Sequence, residues 1–205
     1  MQGFRRLGGA ALAFAFVFSL GASAPAVAQN DPAAATVEAL DSHLLSVMKD
    51  AKALGFKGRY TRLKPAVEAA LDLPTMTRYA VGPSWASMTE AQHAALTAAF
   101  SRMVISTYAH NFDGYSGEKF VTDRVDARGA YKLVHTQIVQ GNGKKVSLVY
   151  QMHQVGAGWK VVDVLYMGAI SELTTRRSDF SGTLAKGGEP ALLEHLNALS
   201  DKLAR

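Results

Sequence analysis

The sequence predicts an α+β domain, an antiparallel four-stranded meander packed with helices. Three observations predict it. Apolar residues recur every three or four positions up to about residue 112 and again after residue 169. Between these stretches lie four segments rich in β-branched and aromatic residues, and three short glycine-bearing turns separate them. Apolar spacing of 3.6 marks amphipathic helices, and β-branched runs bounded by glycine turns mark strands. Helices, then a meander, then helices is the order of a chain that gathers its helices against one face of a sheet.

Asp31-Pro32 opens the first helix, an N-cap residue followed by proline at the first helical position. Val37, Leu40, Leu44, Met48 and Ala51 place its apolar face, and Gly55 and Gly58 are expected to close it. A second helix is expected from about Tyr60 to Leu71, broken by Pro74, and a short one from Met76 to Val81, ended by Gly82-Pro83. Thr89 and Gln92 form a capping-box pattern. The helix they open carries Leu96, Phe100, Met103, Val104, Thr107 and Tyr108 in one broad stripe and ends between Asn111 and Gly114.

The four strands are expected at Glu118–Asp126, Tyr131–Gln140, Lys145–Val155 and Trp159–Tyr166. Alternation puts Val146, Leu148, Tyr150 and Met152 on one face of the third strand. It puts Val162, Val164 and Tyr166 on one face of the fourth, opposite Val161, Asp163 and Leu165. Helical spacing resumes at Ala169 with Ile170, Leu173, Arg177 and Phe180. Gly187-Gly188 ends that helix, and Pro190 starts a last one bearing Leu192, Leu193, Leu196, Leu199 and Leu203.

Of the 205 residues, residues 1–28 read as a signal peptide. Arg5-Arg6 precedes an apolar run from Leu7 to about Leu20, and Ala26-Val27-Ala28 gives an A-x-A cleavage site. The expected mature chain, residues 29–205, forms one domain. Removing two arginines and no acid lowers the net charge from +5 to +3, too mild to mark a nucleic-acid binder. Absence of cysteine excludes disulfides, thiolate metal sites, a cysteine nucleophile and a lipidated N-terminus. The expectation is an exported periplasmic chain without a lipid anchor.

Chemistry-bearing motifs are scarce. No phosphate-binding glycine loop, H-E-x-x-H or G-x-S-x-G occurs. His43, His93, His110, His135, His153 and His195 include no pair at ligand spacing on one helix. His135 and His153 stand on neighbouring strands, either as half-buried strand histidines or as a pair. Asp163 is the one acid in an apolar strand. It reads as the partner of Arg176 or Arg177, or as a general base assisted by His135 or His153. Met76, Tyr79, Met103, Tyr108, Phe112, Tyr150, Met152, Tyr166 and Met167 crowd the helix–sheet junction. Such adaptable groups fill ordinary cores and also line sites for irregular apolar ligands.

The run from Gly158 through Trp159, Val161, Asp163 and Gly168 to Ser171 resembles the W-x-V-x-D…G-x-S signature of the MlaC-type family, periplasmic lipid-shuttle proteins also called toluene-tolerance or ABC-transporter auxiliary components. The resemblance extends to Leu73–Gly82, Trp85, the Thr89–Tyr108 helix, Leu173–Phe180 and Gly187-Gly188. Leu73–Tyr79 and Ser171–Phe180 look most like the hopanoid-associated HpnM branch. The resemblance implies a sheet and helices around an apolar lipid cavity, with no catalytic residue, no metal and no cofactor beyond the bound lipid. It implies a phospholipid or hopanoid ligand, an inner-membrane ABC transporter complex and an outer-membrane partner, transient membrane contact, and a monomer. On that expectation the lipid-binding residues are Leu73, Met76, Tyr79, Phe100, Met103, Val104, Tyr108, Phe112, Leu148, Tyr150, Met152, Val162, Val164, Tyr166 and Ile170. Arg78, Arg102, Arg176 and Arg177 are expected near a basic mouth, where guanidinium groups suit phosphate or carboxylate. The alternative from another class is a small open-cone α+β enzyme using Asp163 as base.

Overall fold

A computed structural model describes residues 31–205. The expected signal peptide and its cleavage site lie outside these described residues. Helix α1 spans Pro32–Lys49, α2 Ala51–Ala70, α3 Leu73–Val81, and α4 Glu90–Asn111 after a 3₁₀ turn over Gly82–Ser87. Strands β1 (Lys119–Arg128), β2 (Tyr131–Val139), β3 (Lys145–Val155), β4 (Gly158–Tyr166) and β5 (Ile170–Ser171) follow, and α5 covers Glu172–Leu203. The sheet order is β1-β2-β3-β4-β5, antiparallel throughout. The fold is α+β, with one more strand than the sequence predicts.

That strand arises at a turn. Met167 has φ 53° and Gly168 φ 74°, a left-handed pair that reverses the chain. Ile170 and Ser171 then pair with Tyr166 and Leu165, where helix was expected from Ala169. Ser171 caps α5 by accepting a hydrogen bond from Thr174 N at 3.0 Å, so the helix begins only after the strand. Within α5, Gly187 and Gly188 leave helical geometry, the break expected there.

The first helices also shift. α1 stops at Lys49, and Gly55 (φ 57°) is a kink inside α2 rather than the end of α1. Arg59 bridges the region, donating to Ala109 O at 2.8 Å and to Ala51 O at 3.2 Å. Pro74 breaks nothing, because it sits in the first turn of α3 behind the N-cap Asp72. Leu71 forms a parallel bridge with Val161, and Asp72 N donates to Val161 O at 2.9 Å, so this connection covers part of the free edge of β4. The capping box of α4 forms as expected, with Thr89 and Gln92 satisfying each other's backbone N–H groups.

Register decides which side chains face the helices. β2 and β3 pair without interruption from Tyr131↔His153 to Val139↔Lys145. Between β3 and β4 the register slips: Gln151 opposes Asp163, but Met152 opposes Val161. Val162 is the extra residue, a bulge that reverses the alternation of β4. Val164 and Tyr166 stay beside Tyr150 and Leu148, while Val161 takes the place beside Met152. α1 is fastened to this inner face, with Asp31 bound to Lys132 Nζ at 2.7 Å and Thr36 Oγ1 donating to the Trp159 carbonyl at 3.2 Å.

The core lies between sheet and helices. Val37, Leu40 and Leu44 of α1, Leu63 and Val67 of α2, and Leu96, Phe100 and Met103 of α4 are buried. Phe180, Leu192 and Leu196 bring α5 against them, and Phe100 meets Phe180 edge to face at 6.2 Å.

Candidate functional site

A cavity of about 480 Å³ opens between α4 and the inner face of the sheet, within the ~300–1,000 Å³ of ordinary ligand pockets. One turn of α4 after another feeds it: Phe100, Met103, Val104, Thr107, Tyr108, Asn111 and Phe112. The sheet contributes Ile138, Val146, Leu148, Tyr150, Val164 and Tyr166, and Leu71, Met76, Glu172, Leu173 and Arg176 complete the wall. Burial is graded along it. Leu71, Met76, Phe100, Met103 and Tyr150 are sealed from solvent, whereas Asn111, Tyr166 and Glu172 are exposed and Arg176 half-buried. The cavity is thus closed at an apolar end and rimmed by polar groups at the other.

Of the residues the sequence singled out, Met76, Phe100, Met103, Val104, Tyr108, Phe112, Leu148, Tyr150, Val164 and Tyr166 border this cavity. Five do not. Leu73 is buried in the first turn of α3, and Met152 is fully enclosed beside Val161 in solid core. Val162 is turned away by its bulge. Tyr79 lies on the flank of α3, 38% exposed beneath the Arg78 guanidinium at 5.4 Å. Ile170, on the edge strand β5, is 54% exposed.

Leu71, Asn111, Ile138, Glu172 and Leu173 were not among the expected contacts, and Val146, although placed on the face of Leu148 and Tyr150, was not counted with them. Ile138 opposes Val146 directly, so carrying the β3 alternation across the hairpin would have found both. Asn111 follows Val104 and Thr107 at helical spacing. Leu71 gave no signal, since a one-residue bridge has no sequence pattern.

Tyr79, Val162 and Asp163 instead border a separate small pocket of about 160 Å³, together with Gln151, Ser171, Leu173, Thr174 and Arg177. Asp163 is not paired with an arginine. Its Oδ1 accepts from Val164 N at 2.8 Å and Leu173 N at 3.1 Å, and its Oδ2 accepts from Ser171 Oγ at 2.5 Å. The carboxylate holds the β4–β5–α5 junction together, and these donors occupy the lone pairs a general base would need.

The strand histidines do not form a pair. Both lie on the outer face. His135 Nε2 is 2.9 Å from Asp126 Oδ2, and His153 Nε2 is 2.8 Å from Asp72 Oδ2. Burial alone would raise the Asp72 pKa, but hydrogen bonds from Thr75 and His153 hold it below the usual carboxylate range. Among the described residues no cluster of three His, Cys, Asp or Glu side chains suits a metal ion. Of the four arginines expected at the mouth, only Arg176 borders the cavity. Arg102 is tied to Asp201 at 2.5 Å and to Asn197 at 3.3 Å, joining α4 to α5.

An apolar cavity between helices and an antiparallel sheet, sealed at one end and with polar groups at its open rim, defines a binding protein for apolar ligands. The chain belongs to the MlaC family, whose model, described as MlaC protein, matches residues 38–198. This is a family of non-enzymatic lipid-binding carriers of the periplasm, so the enzyme alternative built on Asp163 falls. Among solved structures the chain resembles a phospholipid-binding protein from Ralstonia solanacearum, determined in complex with a phospholipid. The TM-score is 0.74 at 22% identity, covering 83% of this chain and 98% of that one. No curated protein matches the chain. No helix among the described residues is long and apolar enough to cross a membrane.

Proposed function

We propose that the protein is a periplasmic carrier that moves a phospholipid or a hopanoid between the inner and outer membranes. The observation that carries this reading is the graded cavity, sealed and apolar at one end and polar at its rim. Such a space holds acyl or polycyclic chains inside and leaves a head group at Arg176, Glu172 and Asn111. Each methylene kept from water is worth ~0.8 kcal/mol, so a two-chain lipid of ~30 methylenes faces a barrier on the order of 24 kcal/mol in free solution. A pocket that buries the chains throughout the crossing removes that barrier, while the transfer itself stays near thermoneutral.

Family membership and the phospholipid complex of the Ralstonia protein support a phospholipid cargo. Likeness of Leu73–Tyr79 and Ser171–Phe180 to the HpnM branch supports a hopanoid one. Export by the N-terminal signal, loading and unloading at an inner-membrane ABC transporter complex and an outer-membrane partner, and action as a monomer complete the proposal. Fifteen residues were singled out from the sequence; the proposed lipid contacts are those that border the cavity. The test is organic extraction of the purified protein, mass spectrometry of the extract, and uptake from liposomes. A co-purifying phospholipid or hopanoid is the expected result. No lipid in the extract and no uptake would overturn the reading.

A further inference from the structure

The sheet holds out an apolar turn beside the cavity mouth. Met167 is 67% exposed, more than any other large apolar side chain among the described residues, and Tyr166 and Ile170 are 43% and 54% exposed. Met167 is also the one non-glycine residue among those described with a positive φ, 53°. Bulky side chains rarely take that backbone region. The turn thus carries an exposed methionine where glycine or asparagine would sit with less strain. Exposed apolar clusters mark contact surfaces, and Tyr166 joins this one to the cavity, which it borders while pairing with Ile170. The β2–β3 hairpin stands at the same end of the sheet. Ile138 and Val146 pair at its base and border the cavity, and Lys144 and Lys145 beyond them are exposed. No acid lies between Asp126 and Asp163, so the hairpin is wholly basic. Asp113 and Glu118 belong to the α4–β1 connection at the opposite edge of the sheet, and Glu172 shares the rim with Arg176.

We propose that the Met167 turn and the lysine-bearing hairpin form a docking tip that seats the cavity mouth on a lipid bilayer. Met167 and Ile170 enter the boundary between head groups and acyl chains, and Tyr166 sits at head-group level, the usual place of tyrosine at a membrane surface. Lys144 and Lys145 meet anionic head groups, which attract basic side chains near the surface. The inference rests on the carrier reading and deepens it by naming the surface that meets the membrane. Two features favour a bilayer as the occupant. Through Tyr166 the turn is continuous with the cavity wall, so a chain leaving the leaflet stays on apolar surface throughout. Three exposed apolar side chains beside lysines also make an interfacial anchor, whereas a stable protein interface covers ~800 Å² on each partner. So small an anchor holds only briefly, which a shuttle requires.

The chain contains no cysteine, so a single introduced one carries a fluorophore at a chosen place. Met167→Cys, labelled with nitrobenzoxadiazole in the full mature chain, is titrated with vesicles of phosphatidylcholine and phosphatidylglycerol. Val155→Cys is the control, 43% exposed at the other end of the sheet. The label at position 167 is expected to brighten, more on the mixed vesicles than on phosphatidylcholine alone, while the label at 155 stays dark. Lys144→Gln with Lys145→Gln should remove the difference between the two vesicle types. Met167→Asn with Ile170→Thr keeps the turn and strand geometry. It should slow transfer of a fluorescent phospholipid from vesicles about tenfold, because two apolar side chains no longer leave water, and bind hexadecanoic acid in solution as the wild type does. A dark label at 167, equal brightening at both positions, or transfer by the double variant at wild-type speed overturns the docking tip and leaves the turn to a protein partner. The carrier reading survives those outcomes if hexadecanoic acid still binds. A wild type that takes up neither the fatty acid nor the phospholipid overturns both.

Discussion

Ser171 Oγ donates to Asp163 Oδ2 across 2.5 Å, and through that bond the last turn of the sheet is clamped to the first turn of α5. Ser171 is at once the end of β5 and the N-cap of α5, while Asp163 sits in β4 with its other oxygen on the backbone of Leu173. Leu173 in turn borders the cavity. The junction therefore sets the position of one wall of the site without touching what the site holds.

Asp163→Ala should accordingly lower stability by about 1–3 kcal/mol, the usual cost of leaving buried donors without a charged acceptor. Chemical denaturation measures it. Lipid uptake at a temperature where the variant is folded should stay within a few-fold of wild type. Complete loss of uptake by a folded variant would contradict a purely structural role.

Asp41 makes stability fall as pH rises. Burial, and then the nearby Glu38, push its carboxyl up to about 7 in the folded chain, above the usual carboxylate range, so between these values the native state holds the proton more tightly than the unfolded one. Unfolding free energy should decline from about pH 4 to pH 7, by on the order of 4 kcal/mol for a shift of this size. Asp41→Asn should flatten the decline. Denaturant midpoints across that range check both statements.

Bulk inside the cavity should compete with cargo. Val104→Trp or Leu148→Trp projects an indole into the space and should weaken lipid uptake about tenfold or more, equivalent to ~1.4 kcal/mol of lost binding, with little change in thermal midpoint. Met152→Trp makes the contrast. Its site is enclosed core, so overpacking should cost about 1–3 kcal/mol of stability. Parallel thermal melts and liposome-uptake assays separate the two classes.

Arg176 should make extraction from membranes sensitive to lipid charge. Arg176→Glu is expected to slow uptake from anionic vesicles more than from neutral ones, and salt should slow the wild type as screening shortens to ~3 Å at 1 M. Arg102→Glu is the control. Its exposed pair with Asp201 contributes at most ~1 kcal/mol, so the variant should keep the salt dependence of the wild type. Stopped-flow transfer between vesicles reads all three.

Local chemistry explains what could be read from the chain alone. The boundaries of β3 and the capping box of α4 depend on near neighbours, glycine turns in one case and Thr89 with Gln92 in the other, and both formed where expected. So did the stripe from Phe100 to Tyr108, because 3.6-residue spacing follows from the helix itself. The bulge at Val162 depends on how β4 meets a partner strand, which alternation within β4 does not encode. The bulge is why Val162 leaves the cavity face; Met152 keeps the inner face that alternation gives it and lies instead in packed core beside Val161. Asp41 did leave a trace, a carboxylate in an otherwise apolar stripe, but only the surrounding fold shows that its Oδ1 lacks a partner among the described residues.

The volume of the cavity has a consequence for how long the protein survives between journeys. A space of about 480 Å³ without cargo leaves apolar wall in contact with water, and covering that wall adds to the margin of ~5–15 kcal/mol that keeps a domain folded. Cargo is then also a structural ligand, and mass action ties residence time in the envelope to lipid supply. Proteases would cull idle copies first, so the number of working shuttles would follow the traffic they carry.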